Sequence, residues 1–267
     1  MTIEHFSYSS KNTYDSCPRS YYLSRVAKAE GIPAWYFAIG TAVHQWIEEY
    51  LDSKKRLPLD SIDDFFMEEV LRLRRIEPDT TKWLHGGSKE APVIEERALK
   101  LAQDCVEKAV IYLQDIDVWE VELNVSGTLP GLEEMPLKAF VDVIGEHKKH
   151  GPIIGDWKTG KSKPKNTIQL ETYNMLLRTS NFELGDGKPL PKFKGLWLML
   201  NPDAPSARPV VFKETPTSLS GMYRASAERA VAGIYPAKVQ YNCKFCDMKP
   251  NCKAASGINQ RTRYYDL

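Results

Sequence analysis

The first 115 residues carry apolar side chains at the three- and four-residue spacing of amphipathic helices. The stretch "AIGTAVHQWIEEYL" repeats this spacing over about three turns, and residues 61–77 and 91–114 show it again. Pro92 suits the first turn of the last of these helices, because the N–H that proline lacks would have no partner inside the helix. The pattern therefore predicts a mainly helical part over residues 1–115.

Residues 116–215 change to the alternation of apolar and polar side chains that half-buried strands show. Five strand candidates follow one another: "VWEVELNVSG", "LKAFVDVIGE", "GPIIGDWKT", "FKGLWLML" and "ARPVVFKE". A helical stretch, "TIQLETYNMLLR", separates the third from the fourth. The order predicts an α+β fold with a central mixed sheet of about five strands and flanking helices. A C-terminal helix and a cysteine-bearing segment are expected over 216–256, and no internal repeat is present, so we expect one domain over 1–267.

Composition narrows the class of protein. The 267 residues are 42% apolar, which is enough for a sizeable core. The 36 basic and 35 acidic side chains nearly cancel, which argues against indiscriminate coating of nucleic acid and leaves room for a local basic groove. We find no export signal and no run of about 18 apolar residues, so we expect a cytoplasmic protein without a membrane partner.

The stretch "GPIIGDWKTGKSKP" places Asp156 and Lys158 two residues apart at the end of an apolar strand candidate. Side chains two apart on a strand point to the same face. On the preceding candidate, Asp142 interrupts an otherwise apolar face. If the two strands pair as a hairpin across "EHKKHG", two carboxylates and one ammonium meet at one point, a costly grouping unless a cation joins them.

Paired carboxylates of this kind suit Mg²⁺ or Mn²⁺, and a nearby lysine can orient the metal-bound water that attacks a phosphodiester. The motif therefore indicates nuclease chemistry. The simpler alternative is a structural ion pair between Asp142 and Lys158 beside a turn.

Two further pairs favour the nuclease interpretation. Gln169 and Tyr173 are four apart on the following helix, so an amide and a phenol lie on one face and can reach a phosphate or the lysine. His44 and Glu48 are four apart on an earlier helix, and the imidazole of His44 is a candidate metal ligand. Taken singly, each of these residues is more often a packed or solvated helix residue.

The ordered set of these motifs resembles the PD-(D/E)XK nucleases of the RecB type. The resemblance rests on His44 in "GTAVHQWIEEY", Asp142 in "KAFVDVIGE", Asp156 and Lys158 in "IGDWKTGK", and the segment "QLETY". That family includes the CRISPR-associated RecB-like exonucleases and their bacteriophage relatives, and its fold is a restriction-endonuclease-type core. The chain departs from the nominal motif because no Pro–Asp pair stands at Asp142.

The resemblance implies a metal centre for Mg²⁺ or Mn²⁺. Some relatives carry another acid on the first strand, and both Glu122 and Glu120 are candidates for that position. The ligands that the family pattern implies are His44, Asp142, Asp156 and the backbone carbonyl of Trp157.

The resemblance also implies a catalytic set. Its centre is the lysine that follows the second acid, and an amide and a phenol from the next helix sit beside it. The set comprises Lys158, Asp142, Asp156, Gln169 and Tyr173.

Three cysteines stand close together in "YNCKFCDMKPNC", where the spacing C-x₂-C-x₅-C lets Cys243, Cys246 and Cys252 bind one metal ion or cluster. Cys17 is the candidate for a fourth ligand. Spacing alone leaves Zn²⁺ and an iron–sulfur cluster open. Iron–sulfur members of the family hold a [4Fe–4S] cluster with one N-terminal and three C-terminal cysteines, so the resemblance implies that cofactor here, stapling the chain ends together. Cys105, on an apolar helical stripe, is expected in the core.

The expected substrate is DNA. The lysines of "GKSKPK" follow the catalytic strand and can meet a DNA backbone, and the aromatic residues at 35–37 precede His44, where unpaired bases can stack. A solvated turn and a hydrophobic staple are the simpler alternatives for these two segments.

These observations lead to one main interpretation and two alternatives. The main one is a metal-dependent exonuclease that acts on single-stranded DNA or duplex ends in recombination, repair or replication, in a bacterial or phage-infected cell, with a helicase or other recombination protein as partner. The first alternative is a DNA-end-binding partner that keeps the fold and does not cut. The second is a zinc-stapled RNA-processing nuclease.

Overall fold

The computed structural model describes residues 5–84, 91–180, 182–185, 189–206 and 209–255. The chain divides into two compact units. The single domain expected from the sequence stays a prediction. The first unit comprises Met1–Asp15, Ala109–Met199 and Asp203–Ile234, and the second comprises Ser16–Lys108, Leu200–Pro202 and Tyr235–Leu267.

The first unit is built on a mixed sheet whose spatial order follows the chain order. Its strands are β1 (Ile116–Gly127), β2 (Leu137–His147), β3 (Gly151–Lys158) and β4 (Lys194–Met199). β1, β2 and β3 are antiparallel neighbours, and β4 is parallel to β3. The α+β class, the mixed sheet and the hairpin between the second and third candidates are therefore confirmed.

The expectation of about five strands is not confirmed: in the part of the chain that the structure describes, the sheet has four. The fifth candidate, residues 207–214, contributes a single antiparallel bridge, in which Val210 and Gly195 exchange hydrogen bonds of 2.7 and 2.8 Å. Residues 207 and 208 lie outside the described ranges. Pro209 precedes the bridge, and because proline has no N–H to donate, it cannot continue a ladder.

Within the described ranges, three helices lie wholly or mainly in the first unit, and one of them makes the parallel pairing possible. A parallel neighbour needs a crossover connection, usually a helix, and α6 (Ile168–Thr179) provides it between β3 and β4. α1 (Tyr8–Ser16) lies near the N-terminus. α7 (Pro216–Val231) begins with a capping box, in which the side chains of Thr215 and Ser218 accept hydrogen bonds from each other's backbone N–H groups.

The second unit is helical, as the sequence predicts. In the helix Trp35–Asp52, Trp46 is buried and its indole N–H donates a 2.9 Å hydrogen bond to the hydroxyl of Ser61. None of the helices in the described ranges has an apolar stretch of the length that a bilayer requires. The helices are α2 (Pro18–Tyr21), continued by a π-helical turn (Tyr22–Val26), α3 (Trp35–Asp52), α4 (Ile62–Arg74) and α5 (Ala91–Leu113), whose last turn belongs to the first unit.

A glycine in the middle of the sheet allows close packing beside Asp142 and Asp156, which we call the acidic pair. A Cβ on Gly155 would lie 2.6 Å from a methyl of Val143 and 2.8 Å from a methyl of Leu198, closer than carbon atoms pack. The absence of a side chain at this position therefore lets β2, β3 and β4 approach one another.

We predict that Gly155→Ala lowers the free energy of unfolding by about 1–3 kcal/mol, because the added methyl overpacks the sheet. Urea denaturation followed by circular dichroism measures the change. Gly160→Ala is the matched control, since its Cβ would meet nothing within 4 Å. Equal stability of the two variants would contradict the packing role of Gly155.

Candidate active site

The acidic pair lies where the ladder between β2 and β3 ends. Val143 and Gly155 are paired across the two strands, so Asp142 and Asp156 stand at the next opposed positions. The backbone N–H of Trp157 donates a 2.7 Å hydrogen bond to Oδ2 of Asp142. A side-chain oxygen thus takes the place of a backbone carbonyl, and it fixes Asp142 against β3.

Lys158 pairs with Asp156, its neighbour on the same face of β3. Its Nζ forms an ion pair with Oδ2 of Asp156 and donates a 3.2 Å hydrogen bond to Oε1 of Gln169. The ammonium also lies 5.2 Å from the centre of the Trp197 ring on β4. These contacts hold the ammonium beside the acidic pair.

Gln169 and Tyr173, one turn apart on α6, complete the contacts of Asp156. Nε2 of Gln169 donates hydrogen bonds of 2.7 Å to Oδ1 of Asp156 and of 2.7 Å to the phenol oxygen of Tyr173. The phenol in turn donates a 3.2 Å hydrogen bond to the same Oδ1. The structure thus brings the amide, the phenol, the lysine and the second acid of the sequence prediction into direct contact.

Burial sets the electrostatics of this network. Asp142 is 6% exposed and Asp156 is 1% exposed. Burial, and then the negative charges of Asp156 and Asp142, raise the pKa of Tyr173 well above its ordinary value, so the phenol keeps its proton at neutral pH. Within the described residues, Oδ2 of Asp156 lies in the ion pair with the ammonium of Lys158. One ammonium leaves the two buried carboxylates with an excess of negative charge. Their oxygens are the kind of ligand that a divalent cation binds.

A third carboxylate comes from β1. Glu122 has a φ of 45°, a left-handed conformation that costs a non-glycine residue about 1–3 kcal/mol, and the register of β1 against β2 shifts between Val118 and Glu120. A carboxylate oxygen of Glu122 lies within 4.8 Å of one of Asp142. Of the two glutamates that the sequence left open, Glu122 is therefore the one beside the acidic pair.

The remaining predicted metal ligands lie at known positions in the fold. His44 lies on α3 in the second unit and is half-buried. Trp157 lies between the two site residues of β3, and its side chain is buried on the opposite face. The roles of the His44 imidazole and of the Trp157 carbonyl stay predictions.

The second unit brings Cys17 near the C-terminal cysteines. The N–H of Lys238 donates to Sγ of Cys17 at 3.5 Å, and the thiol of Cys243 donates to the carbonyl of Lys238 at 3.6 Å. Burial first, and then the charge of Asp247, raise the pKa of Cys246 to about 11, and Cys17 contributes a smaller increase. Residues 17, 243 and 246 are therefore neighbours in space.

Backbone contacts secure the rest of the cysteine segment. Asp247 accepts a 3.0 Å hydrogen bond from the N–H of Ile32, and the side chain of Asn251 donates a 2.7 Å hydrogen bond to the carbonyl of Glu30. Cys252 is half-buried and follows Asn251. Among the described residues, no three cysteine sulfurs lie within 4.8 Å of one another. The cysteines are therefore neighbours, but their sulfurs are not at the mutual distances of ligands to one metal ion. Cys105 is buried, as expected.

The candidate DNA contacts differ in their surroundings. Lys161, Lys163 and Lys165 are exposed, and Lys161 forms a 3.0 Å ion pair with Asp203. Tyr36 and Phe37 are 43% and 40% exposed, with ring centres 4.4 Å apart.

Trp35 cannot stack on a base, contrary to the sequence-based expectation. Its side chain is fully buried, with its ring centre 4.7 Å from that of Trp83 and 6.4 Å from that of Phe66. The alternative role in hydrophobic packing therefore holds for this residue.

Comparison with known proteins identifies one family. A family model described as the PD-(D/E)XK nuclease superfamily matches residues 5–253. No curated protein matches the chain. Among solved structures, the crystal structure of SSO0001 is similar at 13% identity over 95% of this chain and 88% of that chain, with a TM-score of 0.43.

We predict that Glu122→Gln weakens Mn²⁺ binding by at least about tenfold, because even outer-shell partners of metal ligands contribute about 10- to 100-fold to affinity. Electron paramagnetic resonance titration of free Mn²⁺ measures the change. Glu120→Gln, on the same strand, is the matched control and should bind as the wild type does. The reverse order of the two variants would assign the third carboxylate to Glu120.

Proposed function

Because the chain belongs to the PD-(D/E)XK nuclease superfamily, we propose that it is a metal-dependent deoxyribonuclease of the RecB type, which hydrolyses phosphodiester bonds as an exonuclease. The observation that carries the proposal is the contact network around Asp156, in which Lys158, Gln169 and Tyr173 converge beside Asp142. A network in which a half-buried lysine, an amide and a phenol meet a buried carboxylate exceeds what a structural ion pair beside a turn requires.

A divalent ion, Mg²⁺ or Mn²⁺, is the cofactor of this reaction. Asp142 and Asp156 would supply its carboxylate ligands, Glu122 would add a third, and the family pattern adds His44 and the carbonyl of Trp157. When bound, such an ion acts as a Lewis acid toward the scissile phosphate and lowers the pKa of a coordinated water.

The protein's own side chains orient the reacting groups. Asp156 and Gln169 hold the Lys158 ammonium in place, where it stabilises negative charge that develops on the phosphate oxygens. Tyr173 remains protonated and donates to Oδ1 of Asp156, so that the other oxygen, Oδ2, faces the cationic side of the site, where it pairs with Lys158. Gln169 fixes the phenol and the carboxylate together.

The proposed substrate is DNA, as single strands or duplex ends, in recombination, repair or replication. The exposed lysines at 161, 163 and 165 directly follow β3 and supply positive charge next to the site. A bacterial or phage-infected cytoplasm and a helicase or other recombination protein as partner follow from the resemblance to RecB-type and bacteriophage enzymes.

A [4Fe–4S] cluster bound by Cys17, Cys243, Cys246 and Cys252 is the proposed structural cofactor. The shared contacts of Cys17 and Cys243 with Lys238 support the pairing of the N-terminal and C-terminal cysteines. Zn²⁺ is the competing ligand for four thiolates. Either group would contribute folding energy to the second unit.

We expect Lys158→Ala to cleave single-stranded DNA about 100- to 1,000-fold more slowly than the wild type, the loss typical of one transition-state donor. Mn²⁺-dependent digestion of end-labelled DNA measures the rate, and a circular dichroism spectrum shows that the variant is folded. Lys149→Ala, an exposed lysine of the turn between β2 and β3, is the control.

A wild-type rate for Lys158→Ala would refute the site assignment. A wild-type protein that binds DNA ends without shortening the label would be a DNA-end-binding protein instead. Cleavage of RNA with no cleavage of DNA would favour an RNA-processing nuclease.

We expect Cys17→Ser to lose most of the bound metal, since it removes one of four thiolate ligands. The visible absorption spectrum and the iron and zinc contents of anaerobically purified protein measure the loss. Cys105→Ala is the control, because Cys105 is a buried core residue and should leave the metal content unchanged. Unchanged metal in Cys17→Ser would place the fourth ligand elsewhere, and a colourless zinc protein would replace the iron–sulfur assignment.

A further inference from the structure

The face of β2 that carries Asp142 continues into solvent. Alternate residues of a strand share a face, so Phe140 and Asp142 point to the same side as Ile144. Along this face Ile144 is fully buried, Asp142 is 6% exposed and Phe140 is 51% exposed. Ala139 on the other face is 8% exposed. A large apolar ring therefore stands exposed at the next position beyond a proposed metal ligand.

The neighbours of Phe140 are polar and include a cation. Nζ of Lys138 lies 5.2 Å from the centre of the Phe140 ring. Across the ladder, Asn124 is opposite Phe140 and Ser126 is opposite Lys138, and both are exposed. We call Asn124, Ser126, Lys138 and Phe140 the β2 platform. It combines an aromatic face with a positive charge, which are the two features that single-stranded nucleic acid sites share.

The distance from the platform to the acidic pair matches the size of the substrate. Two residues of a strand span about 6.7 Å, so the Phe140 side chain leaves the strand about that far from the Asp142 side chain. One nucleotide of an extended single strand covers a comparable distance. A strand whose phosphate lies at the acidic pair can therefore present its neighbouring base to Phe140.

We propose that Phe140 stacks on the unpaired base next to the scissile phosphate, and that Lys138 contacts the phosphate of that nucleotide. The platform then selects unpaired ends, because a base inside a duplex already has both faces stacked. The inference rests on the proposed nuclease function, since it takes the acidic pair as the place of cleavage.

To test the role of Phe140 and Lys138, DNA binding and DNA cleavage are measured in separate experiments. Fluorescence anisotropy in Ca²⁺ measures the affinity of the full chain for a labelled single-stranded oligonucleotide and for a blunt duplex. The variants are Phe140→Ala, Phe140→Trp and Lys138→Ala. Leu71→Ala on α4, where Leu71 is 54% exposed, is the control for loss of an exposed apolar side chain.

We expect Phe140→Ala to weaken single-strand binding about tenfold, within the range measured for single base–aromatic stacks. Phe140→Trp should bind as the wild type does, and neither variant should change duplex binding. Lys138→Ala should reduce the slope of log affinity against log salt by about 0.7, the value for one phosphate contact on a single strand.

An abasic scan locates the contact. In the wild type, one abasic position in the oligonucleotide should weaken binding, and in Phe140→Ala that position should make no further difference. The inference is wrong if Phe140→Ala binds single strands as tightly as the wild type, or if it loses single-strand and duplex affinity equally. Wild-type digestion of DNA together with either result leaves the nuclease function intact, whereas a wild type that neither binds nor cuts DNA overturns both proposals.

Discussion

The burial of two carboxylates at the end of the β2–β3 ladder is the constraint on which the first unit depends. An isolated buried carboxylate is costly, and Asp142 and Asp156 are almost fully buried. The backbone N–H of Trp157 compensates Asp142, and Lys158, together with donors from α6, compensates Asp156. Burial of the two carboxylates thus requires the hairpin, the crossover helix and the lysine together. The same contacts therefore form the site and hold the fold of this unit.

The register between β2 and β3 places the two carboxylates opposite each other. The side-chain period of a strand is two, so a slip of one residue between β2 and β3 would turn Asp142 away from Asp156. Small residues oppose such a slip by allowing backbones to approach: a Cβ on Gly145 would lie 2.4 Å from the carbonyl oxygen of Asp117. β1 meets β2 with a shifted register and a left-handed Glu122, and this strain brings a third carboxylate to the pair.

The sequence allowed prediction where side chains recur at the regular spacing of a strand or a helix. Period two brought Asp156 and Lys158 to one face, and a spacing of four brought Gln169 and Tyr173 to one face of α6; the structure joins all four. The choice between Glu120 and Glu122 could not be predicted, because a bulge and a left-handed residue leave no periodic signal. The burial of Trp35 was also missed, because an aromatic triplet at a helix start does not tell which ring faces the core. The strand expected at 207–214 is not confirmed, because the prediction rested on its apolar residues and gave too little weight to Pro209, which cannot donate to a ladder.

The cysteines and the acidic pair differ in what they require of the chain. The side chains that form the ion pair and the hydrogen bonds with the Asp156 carboxylate come from β3 and α6, both within a segment of the first unit, so local pairing and one crossover are enough to assemble the network. Cys17 and Cys243 are 226 residues apart (243 minus 17), and all four candidate ligands belong to the second unit. The entropic cost of closing a loop rises only with the logarithm of its length, by about 0.6 kcal/mol for each doubling. A link between such distant residues therefore restricts the unfolded chain only somewhat more than a link across a loop of half that length would. The metal proposed there would stabilise the second unit, whereas the contacts of the acidic pair lie within the first unit.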